Sequence, residues 1–188
     1  MPILGSFAGI SAKAYGLTSN LVGDYFFIAE SNSPSGAVAS LDFSSVPQQY
    51  THLEIRMVTS NSASASIQVG MRFNGDTGAT QYSSIFSFWD GTTTSTTSST
   101  GSSSLPVGQH TTTSTNRFSV STIQIQNYAN TNIFKNITFH SYMATTGTQQ
   151  FQIGVGNYKS GSAITSISLF PRTSNFKQFS AAYLYGIK

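Results

Sequence analysis

Ile67-Gln68-Val69-Gly70-Met71-Arg72-Phe73-Asn74-Gly75-Asp76-Thr77-Gly78 decides how this chain is read. Ile67, Val69, Met71 and Phe73 recur at every second residue, the spacing that puts side chains on one face of a β-strand. Asn74-Gly75 follows at once, and Asp76 stands two residues before Gly78. Glycine takes positive φ without steric cost and Asn or Asp tolerates it, so the strand is expected to end in a tight turn. Asn74 and Asp76 also offer two oxygen donors, which invites a calcium reading. A calcium loop supplies several carboxylates and a later glutamate, whereas only Asp76 is charged here. The stretch therefore reads as a corner that sets strand register, with Arg72 and Asp76 expected to pair across it.

The same two-residue period extends in both directions. Tyr25 to Ala29 is a first strand, then Asn32-Ser33-Pro34-Ser35-Gly36 is a strong turn signal. Ala37 to Phe43 follows, Val46 to Tyr50 makes a corner, and Leu53, Ile55 and Met57 alternate. Tyr82 to Trp89 is an aromatic strand. Phe118 and Val120 change parity against Ile123 and Ile125, which predicts a β-bulge. Ile137, Phe139, Ser141 and Met143 share one face of the next strand, while Phe134, His140 and Tyr142 share the other. Both faces being partly apolar, this strand belongs at the centre of a sheet or at a subunit contact. Phe151, Ile153 and Val155 make a strand that ends at Gly156-Asn157. Ile164 to Phe170 is the next, and Phe179, Ala181, Tyr183, Tyr185 and Ile187 alternate to the C-terminus. Residues 92–104, all Thr, Ser and Gly, carry no apolar anchor and read as a long loop.

Nine or ten short strands at regular spacing, with no convincing helix, give an all-β fold. The expected architecture is an antiparallel two-sheet β-sandwich over residues 24–188, of the jelly-roll kind. Residues 1–23 differ. Ile3, Leu4, Phe7 and Ile10 lie at near-helical spacing, but Gly5, Gly9 and Gly16 weaken a helix. They read either as a loose terminus or as an extended apolar arm that docks on a neighbouring subunit.

Composition narrows the function. Of 188 residues, charged ones make up 8% and aromatic ones 13%, with Ser, Thr, Asn and Gln in place of the missing charges. Little charge repulsion keeps copies of such a surface apart. The net charge of +3 is spread over separated Lys and Arg, without the basic clusters that mark a nucleic-acid surface. There is no cysteine, so disulfides and thiolate metal sites are out of reach. No stretch approaches the ~20 apolar residues of a membrane helix. The N-terminus lacks a positive n-region, and Lys13 interrupts any apolar one, so no secretory leader is expected.

The sequence carries little local chemistry. Asp24, Glu30, Asp42, Glu54, Asp76 and Asp90 are scattered, with no local pair of the kind glycoside hydrolysis uses. His52, His110 and His140 are isolated, unlike short-spaced metal ligands. There is no nucleophile elbow and no phosphate-binding loop. No catalytic residue, metal or cofactor is expected.

Several segments, taken in order, resemble one family of tailed-bacteriophage virion structural proteins. They are Ile3-Leu4-Gly5, Phe43 to Leu53 with its Val-Pro corner and Tyr50-Thr51-His52-Leu53, and Arg72 to Gly78 followed by Tyr82. Further along come Ile123 to Tyr128 with Asn130-Thr131-Asn132, Ile164 to Pro171, and Tyr183-Leu184-Tyr185-Gly186-Ile187-Lys188. The 92–104 tract matches nothing in that pattern. The resemblance implies a non-enzymatic virion component with a sandwich fold, often a homotrimer. The leading expectation is a capsid decoration (cement) protein on the outer capsid surface, partnered by the major capsid protein and by itself. The alternative is a tail or fibre-tip adhesin for a host glycan, with Trp89 beside the hydroxyl-rich tract. Candidate assembly residues are Ile3, Leu4, Phe7, Ile10, Phe134 and Tyr142.

Overall fold

A computed structural model describes residues 25–63, 66–110, 117–144 and 149–188. The expected arm and its residues Ile3, Leu4, Phe7 and Ile10 lie outside these. Twelve strands follow one another along the described chain: β1 (Tyr25–Asn32), β2 (Leu41–Phe43), β3 (His52–Thr59), β4 (Ile67–Phe73), β5 (Tyr82–Trp89) and β6 (Thr94–Ser102), then β7 (Leu105–His110), β8 (Ser119–Ile125), β9 (Lys135–Ala144), β10 (Gln149–Tyr158), β11 (Ile167–Pro171) and β12 (Ala181–Ile187).

They form two antiparallel sheets, one ordered β1-β12-β3-β8-β9-β10-β5-β6 and the other β2-β11-β4-β7. The first four strands of the large sheet and all four of the small one reproduce the strand order of an eight-stranded jelly roll. The other four strands are additions. β5 and β6 interrupt the roll between β4 and β7, and β9 and β10 interrupt it between β8 and β11. All four join the β8 edge and double the width of one sheet.

Between the sheets lies a continuous apolar core. β3 contributes Leu53, Ile55 and Met57, β4 contributes Val69, Met71 and Phe73, and β9 contributes Ile137 and Phe139. Leu169 of β11 and Leu105 and Val107 of β7 close it from the small sheet. Each fully buried aliphatic or aromatic side chain contributes about 1.5–3 kcal/mol of transfer free energy. Gly154 of β10 has no side chain because a Cβ there would stand 2.5 Å from both the Phe139 ring and Phe86 Cβ.

The corner predicted after β4 is present. Asn74 and Gly75 both have positive φ, 54° and 68°, and the Asp76 amide donates to the Phe73 carbonyl at 2.9 Å. These are the marks of a type I′ turn. Its side chains serve the fold. Asn74 Oδ1 accepts from the Thr165 and Ser166 amides at 2.8 and 3.2 Å, and Asn74 Nδ2 donates to the Ala163 carbonyl at 2.8 Å. Asp76 Oδ1 accepts from the Gly78 amide at 2.8 Å and Asp76 Oδ2 from the Tyr158 hydroxyl at 3.1 Å. Arg72 does not pair with Asp76. Its Nε donates to the Ser103 carbonyl at 2.9 Å and its guanidinium lies 4.3 Å from the centre of the Phe170 ring.

Other resemblance-bearing segments meet near this corner. The Val46 amide donates to the Thr165 carbonyl at 2.9 Å, Tyr128 Oη donates to the Pro47 carbonyl, and the Asn127 amide donates to His52 Nδ1 at 3.1 Å. These segments hold strand ends together.

Four further expectations are corrected. The Thr/Ser tract is no loop, because Thr94–Ser102 is the edge strand β6, paired with β5. Asp90-Gly91 turns the chain into it, with Asp90 Oδ1 accepting from the Thr92 and Thr93 amides at 3.0 and 2.8 Å. Backbone pairing and the β-propensity of Thr make a strand here without any apolar face. No bulge interrupts β8, whose register against β3 runs unbroken from Leu53↔Ile125 to Thr59↔Ser119. The parity change arose because Val120 stands on the opposite face from Ile123 and Ile125. In β12 the buried side is Ala182, Leu184 and Gly186, and the expected Tyr183, Tyr185 and Ile187 line the other face. β10 does not end at Gly156-Asn157 but continues to Tyr158, which is buried and stacked on Tyr82 with ring centres 5.0 Å apart.

Asn74 has both a strained φ and side-chain hydrogen bonds to the Ala163–Ser166 backbone, so Asn74→Ala is expected to lower unfolding free energy by about 2–4 kcal/mol in urea titrations. Asn74→Gly keeps the turn geometry and should lose less. Equal stability of wild type and Asn74→Ala would contradict this account of the corner.

Candidate functional site

The outer face of the large sheet is where the chain departs from an ordinary soluble surface. In antiparallel strands, residues directly opposite one another share a face. Trp89 of β5 pairs with Phe151 of β10, Phe151 with Tyr142 of β9, Tyr142 with Val120 of β8, and Val120 with Val58 of β3. Each of the five is exposed, from 41% for Val58 to 54% for Trp89. The result is an unbroken apolar row across five strands, about 19 Å long at ~4.8 Å per strand. The next row holds Ile153, the most open of these side chains on β10, opposite His140. The third row pairs Ile85 with Val155. Phe27 extends the apolar character to β1, edge-on to Tyr185 with ring centres 5.8 Å apart.

Ten of the thirteen exposed large hydrophobic residues among the described ones stand on this face: Tyr25, Phe27, Val58, Ile85, Trp89, Val120, Tyr142, Phe151, Ile153 and Val155. Scattered apolar residues are normal on a surface, but a contiguous patch of this extent marks an interaction site. The expected candidates Phe134 and Tyr142 are both exposed, Phe134 immediately before β9 and Tyr142 near its far end. Tyr142 is in the apolar row; Phe134 is at the opposite end of the strand.

The buried carboxylate on this face is tied down. Glu54 of β3 is only 3% exposed. Its carboxylate accepts from Arg56 Nε at 2.8 Å, Tyr25 Oη at 3.1 Å and Gln124 Nε2 at 3.2 Å. Arg56 in turn lies over the Tyr185 and Tyr25 rings, 5.2 and 5.7 Å from their centres. Burial by itself would raise the Glu54 pKa. Donation from Arg56, Gln124 and Tyr25 outweighs burial and holds the carboxyl below its usual value. The face therefore presents a neutralised, internally satisfied ion pair beside its apolar rows.

Sequence reasoning missed two features. Lys135 is one of the separated basic residues, yet it is fully buried at the start of β9. Its ammonium donates to the Asn130 carbonyl and, at 2.7 Å, to the Ile133 carbonyl, and burial lowers its pKa. It braces the Asn127–Phe134 loop, and an isolated Lys between Phe134 and Asn136 gave no sign of that. The apolar rows were missed because each is assembled from residues far apart in the chain.

The remaining polar candidates are engaged locally. Asp90 closes the β5–β6 turn, and Asp42 accepts from Ser40 Oγ at 2.5 Å. His52 accepts from the Asn127 amide, His140 is exposed on β9, and His110 lies in β7. Among the described residues no three His, Cys, Asp or Glu side chains stand close enough to hold a metal ion. No helix among them is long and apolar enough to cross a membrane.

No protein-family model and no curated protein matches this chain. Among solved structures, a protein of unknown function from Shewanella oneidensis MR-1 is similar at 10% identity, over 87% of this chain and 79% of its own, with a TM-score of 0.24. That likeness is too weak to carry an argument about fold or function.

The Glu54 cluster makes a pH prediction. A carboxyl held below its unfolded value near 4.5 contributes stability that is present above that value and lost as pH falls through the folded one. The stability difference between wild type and Glu54→Gln should therefore shrink steadily as denaturation is repeated from neutral pH to below about pH 4. A difference independent of pH would show that the cluster does not hold the charged form.

Proposed function

We propose that this protein is a structural component of a tailed-bacteriophage virion, a capsid decoration (cement) protein that binds the major capsid protein on the outer surface of the head, with copies associating as a homotrimer. The observation that carries the reading is the apolar outer face of the large sheet. Eight strands at ~4.8 Å and a depth of six residues at ~3.3 Å give a face of about 34 by 20 Å, roughly 700 Å². One partner in a stable protein complex contributes about 800 Å². A face of that size and polarity is suited to being covered in an assembly. Burying it contributes about 25 cal/mol per Å² of apolar area before association costs.

The family resemblance supplies the kind of assembly, since its matching segments run in order through most of the chain. The low charge suits dense packing of copies. The added strands β5, β6, β9 and β10 support the same reading, because they widen the sheet on the side where most of the apolar row stands.

A second reading has one observation in its favour. A hollow of about 520 Å³ at the β6 side has hydroxyl and amide side chains, including Ser98, Thr100, Asn136, Thr138 and Asn157, beside the apolar Ile85 and Val155. Such groups suit a glycan, as a tail or fibre-tip adhesin would require.

Copy number separates the two. Quantitative mass spectrometry of intact virions is expected to give this protein in the hundreds per particle, comparable with the major capsid protein; a dozen or fewer copies would favour the tail adhesin. Val120 is an exposed site, where substitutions change stability by about 0.5 kcal/mol or less. Val120→Glu should therefore leave the unfolding midpoint nearly unchanged while lowering occupancy on purified heads at least about tenfold, a loss of ~1.4 kcal/mol in binding. Full occupancy by this variant would exclude the outer face from head binding.

A further inference from the structure

Three hollows on the outer face adjoin one another through shared lining residues and together make a groove-like row. The 520 Å³ hollow is lined in part by Ile85, Thr138 and Val155. A second, of about 240 Å³, shares Thr138 and Val155 with it and adds Ile153, His140 and Thr122. A third, of about 70 Å³, shares Thr122 and His140 with the second and ends between Val120 and Tyr142. The groove thus runs diagonally over β6, β5, β10, β9 and β8. It is widest at the β6 side, where the lining includes Ser83 and Gly156, and no Asp, Glu, Lys or Arg lines it. A neutral row of adjoining hollows across strands fits an extended chain whose apolar side chains drop into them one after another. It fits a second flat sheet poorly, because a flat face would leave the hollows empty and forfeit their dispersion contacts.

The sequence contains one segment of that character. The described structure begins at Tyr25, in the edge strand β1 of this same sheet. Before it stand twenty-four residues that carry Ile3, Leu4, Phe7, Ile10 and Leu17, with Lys13 and Asp24 their only formal side-chain charges. Twenty-four extended residues reach at most about 80 Å. The whole sheet from β1 to β6 is only about 34 Å wide, so the segment can reach every part of the groove. We propose that the groove receives residues 1–24 of this protein, with Ile3, Leu4, Phe7 or Ile10 seated against Ile85, Ile153 and Val155. The reach admits the segment of the same chain and that of a neighbouring copy, and the occupying peptide is the same in both. The proposal rests on the functional reading only in that both cover the outer face, and it needs no phage particle.

The chain has no cysteine of its own, which makes pairwise disulfide trapping in the full-length protein clean. Phe7→Cys combined with Val155→Cys, under mild oxidation, is expected to cross-link at least about tenfold faster than Phe7→Cys combined with Thr173→Cys, a measure of local effective concentration. Thr173 is exposed and follows β11 of the other sheet. A cross-linked monomer and a cross-linked dimer on a non-reducing gel both support the proposal. Equal rates for the two pairs overturn it. So does rapid dimerisation of Val155→Cys alone, which would mean that two sheets meet face to face. Moving the first cysteine to Ile3, Leu4 or Ile10 keeps a negative result from depending on one side chain. Virion copy number can fail or hold independently of these rates.

Discussion

Tyr82 and Tyr158 grip the Phe73–Asp76 turn from two elements, and the route of the rest of the chain depends on that grip. The Tyr82 hydroxyl accepts from the Phe73 amide at 3.0 Å and donates to the Asp76 carbonyl at 3.2 Å. Tyr158 reaches the Asp76 carboxylate and packs its ring against Phe73, with ring centres 5.3 Å apart. At this point the chain leaves the small sheet and enters the large one. Both phenols are buried, which raises their pKa and keeps them as neutral donors. Loss of the clamp would leave the Phe73 amide without its partner in a buried site, a penalty of about 1–3 kcal/mol.

What the clamp permits is the widening of one sheet. Tyr82 begins β5 and Tyr158 ends β10, and β10 pairs with β5 along the whole of β5. The clamp therefore fixes the start of the four-stranded addition to the jelly roll. β6 closes it with a strand of Thr, Ser and Gly, exposed along nearly all its length. The small sheet has only four strands to lay against eight. Its edge strand β7 packs beneath β9, β10 and β5, where Leu105 and Val107 enter the core. The outer side of the widened sheet has no such cover among the described residues. The architecture thus creates a broad face and lines it with aromatic and aliphatic side chains, which in water is a standing cost unless something else lies on it.

The neighbouring polar arrangement has the same logic. A carboxylate on that face would normally keep it wet. Here Glu54 is wrapped by Arg56, Tyr25 and Gln124, so its charge is compensated within the protein. Burying such a pair under a partner costs less than burying a bare carboxylate, because its hydrogen bonds are already made. Both the apolar rows and the satisfied ion pair are compatible with a dry interface.

Much of this was legible from the residues alone. Alternation at Ile67–Phe73, Leu53–Met57 and Ile137–Met143 determined strands, and Asn74-Gly75 determined a turn with positive φ, since few other residue pairs accept that geometry. Regular strand spacing then led to a two-sheet sandwich. The Thr/Ser strand β6 was hidden because its stability comes from backbone pairing, which leaves no mark on side-chain periodicity. The bulge expected in β8 was an error of the same origin: Val120 is apolar but belongs to the outer face, and alternation cannot say which of two apolar faces is the core. Only the tertiary structure decided that Trp89, Phe151, Tyr142, Val120 and Val58 stand in one row. Register between strands depends on the pairing of distant segments, so a surface assembled across strands becomes visible only once those segments have met.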